Sequence, residues 1–222
     1  MKNMKAPTLW LAVATLMGAA SLAQAQAITG DAKAGEKKNA MCIGCHNIVG
    51  YQASFPVIYK VPKISGQNGK YIAAALDAYR KGDRKHPSMR GIAGSLTDQD
   101  IADLAAYYEA NGKEASAAAV PATAPEAPAA VKDKLAICVS CHGANFNNTT
   151  DPANPRLAGQ YADYIAVALR SYQTEGNHIF GRANATMGAM AKPLKEDEIK
   201  QIAGYIADLP GELKTVAHGK FR

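Results

Sequence analysis

Apolar residues recur along this chain with the period of an α-helix. Ile72, Ala75, Leu76 and Tyr79 fall at i, i+3, i+4 and i+7, as do Ile101, Leu104, Ala105 and Tyr108. Farther on, Ile165, Ala168, Leu169 and Tyr172 repeat the pattern, and so do Ile199, Ile202, Ala203 and Ile206. Each set makes one apolar stripe on an amphipathic helix. Thr97 stands three residues ahead of Asp100, with Leu96 before it, and reads as a helix start. Lys195-Glu196-Asp197-Glu198 places acids where a helix N-terminus favours them. No stretch alternates with the period of a strand, so the expected fold class is all-α.

The pattern is written twice. Pro62-Lys63-Ile64-Ser65-Gly66-Gln67 returns as Pro155-Arg156-Leu157-Ala158-Gly159-Gln160, and Tyr71, Leu76 and Tyr79 return at Tyr164, Leu169 and Tyr172, all displaced by 93 positions. Met89, Leu96, Ile101 and Tyr107 match Met187, Leu194, Ile199 and Tyr205, displaced by 98. A repeat of this length predicts two similarly folded domains. Between them, residues 114–131 are rich in alanine and carry Pro121, Pro125 and Pro128, which break any alanine helix. This segment reads as a linker, extended where the prolines fall. The domains are then residues 26–113 and 132–222, each at the low end of single-domain size and short of core unless a bound group supplies apolar surface.

All four cysteines lie in two copies of one string, Cys42-Ile43-Gly44-Cys45-His46 and Cys138-Val139-Ser140-Cys141-His142. Cys-x-x-Cys-His is the attachment signature of c-type haem. Two thiols one helical turn apart can bond the two vinyl groups on one porphyrin edge, and the adjacent imidazole then reaches the iron from the same side. A bare Cys-x-x-Cys also suits zinc or thiol redox chemistry. The trailing histidine, the duplication and the lack of spare cysteines favour two covalently bound haem c groups, with iron as the metal. His46 and His142 are the candidate ligands on one face.

What stands on the other face decides the chemistry. Methionine would complete a six-coordinate iron, raise its potential and leave no open position for substrate. Met89, in a stretch rich in glycine and charge that reads as a loop, stands seven residues before Leu96; Met187 stands seven before Leu194. Met89 and Met187 are therefore the favoured ligands, and His86, His178 and Met190 are their rivals. Met41, beside a haem cysteine, reads as an ordinary helix residue.

Lys2 and Lys5 precede an apolar run ending near Leu22, followed by Ala23-Gln24-Ala25. Residues 1–25 read as a secretory signal peptide, with export to a bacterial periplasm as the expectation. The run is short for a membrane span. The alternative is its retention as an N-terminal anchor. The formal net charge of +6 comes with no nucleic-acid-binding motif, so no nucleic-acid partner is expected. Lys81, Arg84, Lys85 and Arg90 cluster around Met89 and read as a positive docking rim.

The order Cys-x-x-Cys-His, Pro-x-Leu/Ile-x-Gly-Gln, Tyr-Ile, a methionine seven residues before leucine, and a final Ile-x₅-Tyr helix resembles a class I cytochrome c domain. Two such domains after a signal peptide, with a linker between, resemble the periplasmic dihaem cytochrome c4 family over nearly the whole mature chain. The resemblance implies His46 and His142 as proximal ligands, Met89 and Met187 as distal ones, and the carbonyls of Pro62 and Pro155 as acceptors from the proximal imidazoles, which would fix ring orientation and tautomer. It matches Gly35 to the glycine that lets the first helix cross the last near Tyr107; Val131 stands at that position in the second domain. It implies an electron carrier that is not an enzyme, passing single electrons from a quinol-oxidising complex to a terminal oxidase. The alternatives are a cytochrome subunit or direct acceptor of a periplasmic dehydrogenase and, further off, catalysis at an open haem. The partners would be redox proteins, with peripheral membrane association left open. Residues 210–222 extend past the final helix with no role assigned by the repeat.

Overall fold

The computed structural model describes residues 28–111 and 120–217. The expected signal segment, residues 1–25, and the first part of the expected linker lie outside the described residues. The first repeat forms α1 (Ala32–Lys38), α2 (Ala40–His46), a hairpin of β1 (Gln52–Ala53) and β2 (Tyr59–Lys60), α3 (Gly69–Lys81), β3 (Arg84–Lys85), α4 (Pro87–Gly94) and α5 (Asp98–Ala110). The second forms α6 (Lys132–His142), α7 (Ala162–Gln173), β4 (Gly181–Arg182), α8 (Ala185–Ala191) and α9 (Glu196–Asp208). The architecture is all-α; each strand is only two residues long.

Local chemistry sets the helix ends. Asp31 caps α1, its Oδ1 accepting from Lys33 N at 2.8 Å. Thr97 and Asp100 form a reciprocal capping box at the start of α5. At α9 the Glu198 carboxylate accepts the Lys195 amide at 2.7 Å, so an acid supplies what no Ser or Thr is there to give. α3 ends at Gly82, whose φ of 86° is the left-handed geometry that stops a helix.

The apolar stripes face two cores. In the first domain Ile72, Leu104, Ala105 and Tyr108 are buried together. In the second, Leu135, Phe146, Ile165, Ile199, Ile202 and Ile206 form a larger cluster that also encloses Val131. α1 lies across α5 at Gly35, where a Cβ would overlap the Asp103 carbonyl and crowd the Tyr107 side chain. No helix precedes α6 in this way among the described residues. Instead the linker runs extended over the same face: Tyr205 Oη donates to Pro125 O at 2.6 Å, and Asn145 Nδ2 to Pro121 O at 2.8 Å. Main chain replaces a helix, and this is how Val131 is accommodated where the first repeat has Gly35.

The domains pack through pseudo-twofold contacts. Gln67 and Gln160 occupy equivalent places in the repeat and are both buried. Gln67 donates to Arg156 O at 3.0 Å and accepts from Arg156 N at 2.8 Å. Gln160 does the same to Lys63, at 2.9 and 3.0 Å. Beside them β3 and β4 pair antiparallel across the boundary, with Arg84 opposite Arg182.

Candidate haem sites

Each attachment string ends a helix. Cys42 and Cys45 lie on α2, Cys138 and Cys141 on α6, each pair one turn apart and therefore on one face, with His46 and His142 as the final helical residues. Cys42, Cys45 and Cys138 are partly enclosed and Cys141 is exposed. His46 Nδ1 lies 2.9 Å from Pro62 O, and His142 Nδ1 lies 3.0 Å from Pro155 O. A carbonyl only accepts, so both imidazoles carry their proton on Nδ1 and keep the Nε2 lone pair free for a metal. Burial pushes both pKa values down, against the opposing pull of the proline carbonyls, which keeps the rings neutral.

Met89 sits in the first turn of α4, not in a loop. His86 caps that helix: its Nδ1 accepts from Met89 N at 3.4 Å, and Pro87 at the first helical position has a backbone angle already suited to the turn. Asn184 occupies the equivalent position in α8 and accepts from Met187 N at 2.9 Å. The repeat therefore mounts Met89 and Met187 identically, each three residues past a capping side chain. The rivals stand otherwise. His86 uses Nδ1 as the cap and has Nε2 3.0 Å from Tyr59 Oη; His178 is exposed; Met190 is 40% exposed. The available signal for α4 was Pro87, which marks a helix start as readily as it marks a turn.

The expected docking rim is different in the structure. Arg84 is buried at the domain boundary, Lys81 pairs with Asp77 at 2.6 Å, and Lys85 donates to Asn177 O of the other domain at 2.6 Å. Of the four cations, Arg90 alone is exposed with no ion pair among the described residues. Pairing with a neighbour four positions away, and contacts across the boundary, account for the rest.

Sequence reading missed what Arg84 does instead. Its Nη1 donates to Tyr71 Oη at 3.1 Å and its Nη2 to Tyr164 Oη at 2.8 Å, while Arg182 Nη2 reaches the same Tyr164 oxygen at 3.2 Å. Arg84 also stacks on Tyr79, and Arg182 on Tyr172, the equivalent ring of the second repeat. Burial would lower both guanidinium pKa values, but the surrounding phenols outweigh it and hold both groups charged. Burial drives the Tyr71 phenol up, to about 12. The two guanidinium groups pull Tyr164 down despite its burial.

The chain's residues fit haem c. Among the described residues neither guanidinium is paired with a carboxylate, and the buried Arg84 Nε has no partner at all. Two enclosed cations and an orphan donor call for an anion, and haem carries two propionates.

Comparison with known proteins agrees with this geometry. A Cytochrome c family model matches residues 32–110 and 130–210. The cytochrome c4 of Azotobacter vinelandii is 32% identical over 207 residues, covering 87% of this chain and 94% of that one. The thiosulfate dehydrogenase electron acceptor of Stutzerimonas stutzeri strain A1501 is 31% identical over 202 residues, covering 84% of this chain and 88% of that one. The crystal structure of reduced recombinant cytochrome c4 from Pseudomonas stutzeri superposes with a TM-score of 0.59 at 27% identity, over 82% of this chain and 100% of that one. With two cytochrome c domains in tandem, each with one covalently bound haem c, the chain belongs to the cytochrome c4 family of dihaem electron carriers.

Proposed function

We propose that this protein is an exported carrier that takes single electrons from a quinol-oxidising complex and delivers them to a terminal oxidase. Cys42 and Cys45 would anchor one haem, Cys138 and Cys141 the other, with His46 and Met89 as axial ligands in the first domain and His142 and Met187 in the second. When bound, haem c supplies a ferrous/ferric couple that moves one electron at a time. The observation that carries this reading is the identical mounting of both ligand pairs: a neutral histidine held by a proline carbonyl, and a methionine on the first turn of a capped helix. With a histidine and a methionine on each iron, neither would keep a position for substrate, which is why this reading is preferred to catalysis at an open haem. Pro62 and Pro155 fix the imidazole orientation, and Arg84 and Arg182 would neutralise propionates at the boundary between the domains. Placement in the periplasm rests on the signal-like residues 1–25; among the described residues no helix is long and apolar enough to cross a membrane.

The test is optical. Both haems should be low-spin with the weak near-infrared sulfur-to-iron band of methionine ligation. Met187→Leu should remove the second domain's share of that band and lower its potential, while Met190→Leu should leave both. High-spin absorption equal to one haem in the unmodified protein, or loss of the band on Met190→Leu, would contradict the ligand assignment. A second reading, direct acceptance of electrons from a dehydrogenase, is favoured by the relative named as a thiosulfate dehydrogenase electron acceptor. Rapid reduction of the oxidised protein by a thiosulfate dehydrogenase with thiosulfate, and slow reduction by a quinol-oxidising complex, would select it.

A further inference from the structure

Beyond α9 the described residues do not stay on their own domain. Residues 210–217 leave the second domain, cross the boundary and lie against the first. Leu213 is buried, and on the second-domain side Glu212 pairs with Arg156, Glu212 N donates to Asn147 Oδ1 at 2.9 Å, and Thr215 Oγ1 is 3.2 Å from Tyr161 Oη. On the first-domain side the segment touches two places. Lys214 N donates to Ser65 O at 3.0 Å and pairs with Ser65 as an isolated bridge, while Gly66 is packed so closely on Glu212 O that a Cβ would lie 2.6 Å from it. Farther on, Val216 O accepts from Asn47 Nδ2 at 2.7 Å.

Both contact points adjoin the parts that hold His46. Ser65 and Gly66 continue the loop in which Pro62 O receives the His46 Nδ1 proton. Asn47 is the residue immediately after His46, caps the end of α2, and is 2% exposed. Its Oδ1 lies 3.5 Å from the hydroxyl of Tyr108, a buried residue of the first-domain core. Asn47 itself has no counterpart in the second domain, where Gly143 stands in its place. Gly159, the equivalent of Gly66, packs against Leu209 and against Gly211 of the same segment.

We propose that residues 210–217 clamp the proximal side of the first haem site, and that Asn47 is the positioning residue through which the clamp acts on His46. The clamp makes the orientation of that imidazole depend on the segment beyond α9, whereas the loop that fixes His142 is held from the first domain through Gln67 and Asn68, which bond Arg156. The first iron's potential is therefore set partly by a segment some 170 residues away in sequence, and the two haem sites become unequal although their ligands are equivalent.

This rests on His46 as the first iron's ligand, and the experiment separates the two. Proton NMR of the oxidised holoprotein resolves the methyl groups of each haem, and a redox titration resolves the two potentials. Asn47→Ala and a chain ending at Leu213, which keeps the Glu212 contacts with Arg156 and Asn147, should each shift the first haem's methyl resonances and midpoint potential in the same direction, leaving the second haem's in place. Because both changes remove one shared contact, the Asn47 and Val216 hydrogen bond, their combination should fall short of the sum of the two. Asn47→Ala carries the test by itself should the shorter chain not fold. First-haem signals that stay put in a low-spin variant, or effects that simply add, overturn the clamp. Low-spin histidine and methionine ligation in the unmodified protein supports the ligand reading whatever the clamp does; its absence there overturns both.

Discussion

His86 shows how one side chain decides what a neighbouring one can do. Its Nδ1 accepts the Met89 amide, so the proton sits on Nε2 and is directed at Tyr59 Oη. Burial, followed by the nearby Arg84 charge, lowers its pKa and preserves the neutral form this requires. Asn184 performs the same capping at Met187 with a side chain that never titrates. His86→Asn should therefore keep α4 intact, and His86→Ala should cost the first domain about 1 kcal/mol, the usual worth of a lost cap; denaturant unfolding of the two variants checks this. The seven-residue step from Met89 to Leu96 and from Met187 to Leu194 was legible because the repeat preserves it. The cap was not, since histidine is an uncommon capping residue and charge around it suggested a solvated loop.

The crossing of α1 and α5 is a contact between elements with two separable supports. At Gly35 the helices touch backbone to backbone, and Gly35→Ala should destabilise the first domain by about 1–3 kcal/mol through overpacking, read as a lower midpoint in urea. At Asp103 the contact is electrostatic. Its carboxylate accepts from Lys38 Nζ at 2.6 Å, from Asp31 N at 2.8 Å and from Gln99 Nε2 at 2.8 Å. The Lys38 ammonium, then the Asp31 amide, hold its pKa below the ordinary carboxylate value. The folded state thus releases this proton more readily than the unfolded one. The contribution is complete above about pH 3.9, the unfolded value, and is lost as pH falls through the depressed folded value. Asp103→Asn should flatten the acid limb of the stability profile, its deficit relative to the unmodified protein shrinking steadily below about pH 4; a deficit constant across that range would contradict the argument. The stripes of α5 and α9 could be read from sequence because a 3.6-residue period needs one buried face, and Ile101, Leu104, Ala105 and Tyr108 are all buried, as are Ile199, Ile202, Ala203 and Ile206. α7 was less legible. Its buried residues Ile165, Ala166 and Val167 are consecutive, because this helix packs both on α9 and on β2 of the other domain.

At the scale of the whole molecule the repeat does more than copy a domain. Gln67 and Gln160 looked like parts of a local motif, since nothing in a neighbourhood of a dozen residues says that one will pair with a peptide group 89 positions away and the other with one 97 away. Their chemistry explains the arrangement: a primary amide offers one donor and one acceptor side by side, as a peptide group does, so each glutamine completes the main chain of the opposite domain as a neighbouring strand would. The arrangement also predicts how the protein unfolds. Replacing either glutamine by alanine removes three hydrogen bonds, two across the boundary and one from the amide of the next residue, and leaves two peptide N–H groups and a C=O without that partner at a partly buried boundary, which costs about 1–3 kcal/mol for each unsatisfied group. One replacement should lower the stability of the pair, with the Arg84 and Tyr164 contact and the tail still joining the domains. With Gln67→Ala and Gln160→Ala together, both reciprocal pairs are gone and the domains should lose their mutual support. Calorimetry of the holoprotein should then show one transition for the unmodified chain and two for the double variant, the first domain melting first because its own core is the smaller. A double variant that still melts in one sharp step would mean that the arginine and tyrosine cluster and the tail hold the boundary without the glutamines.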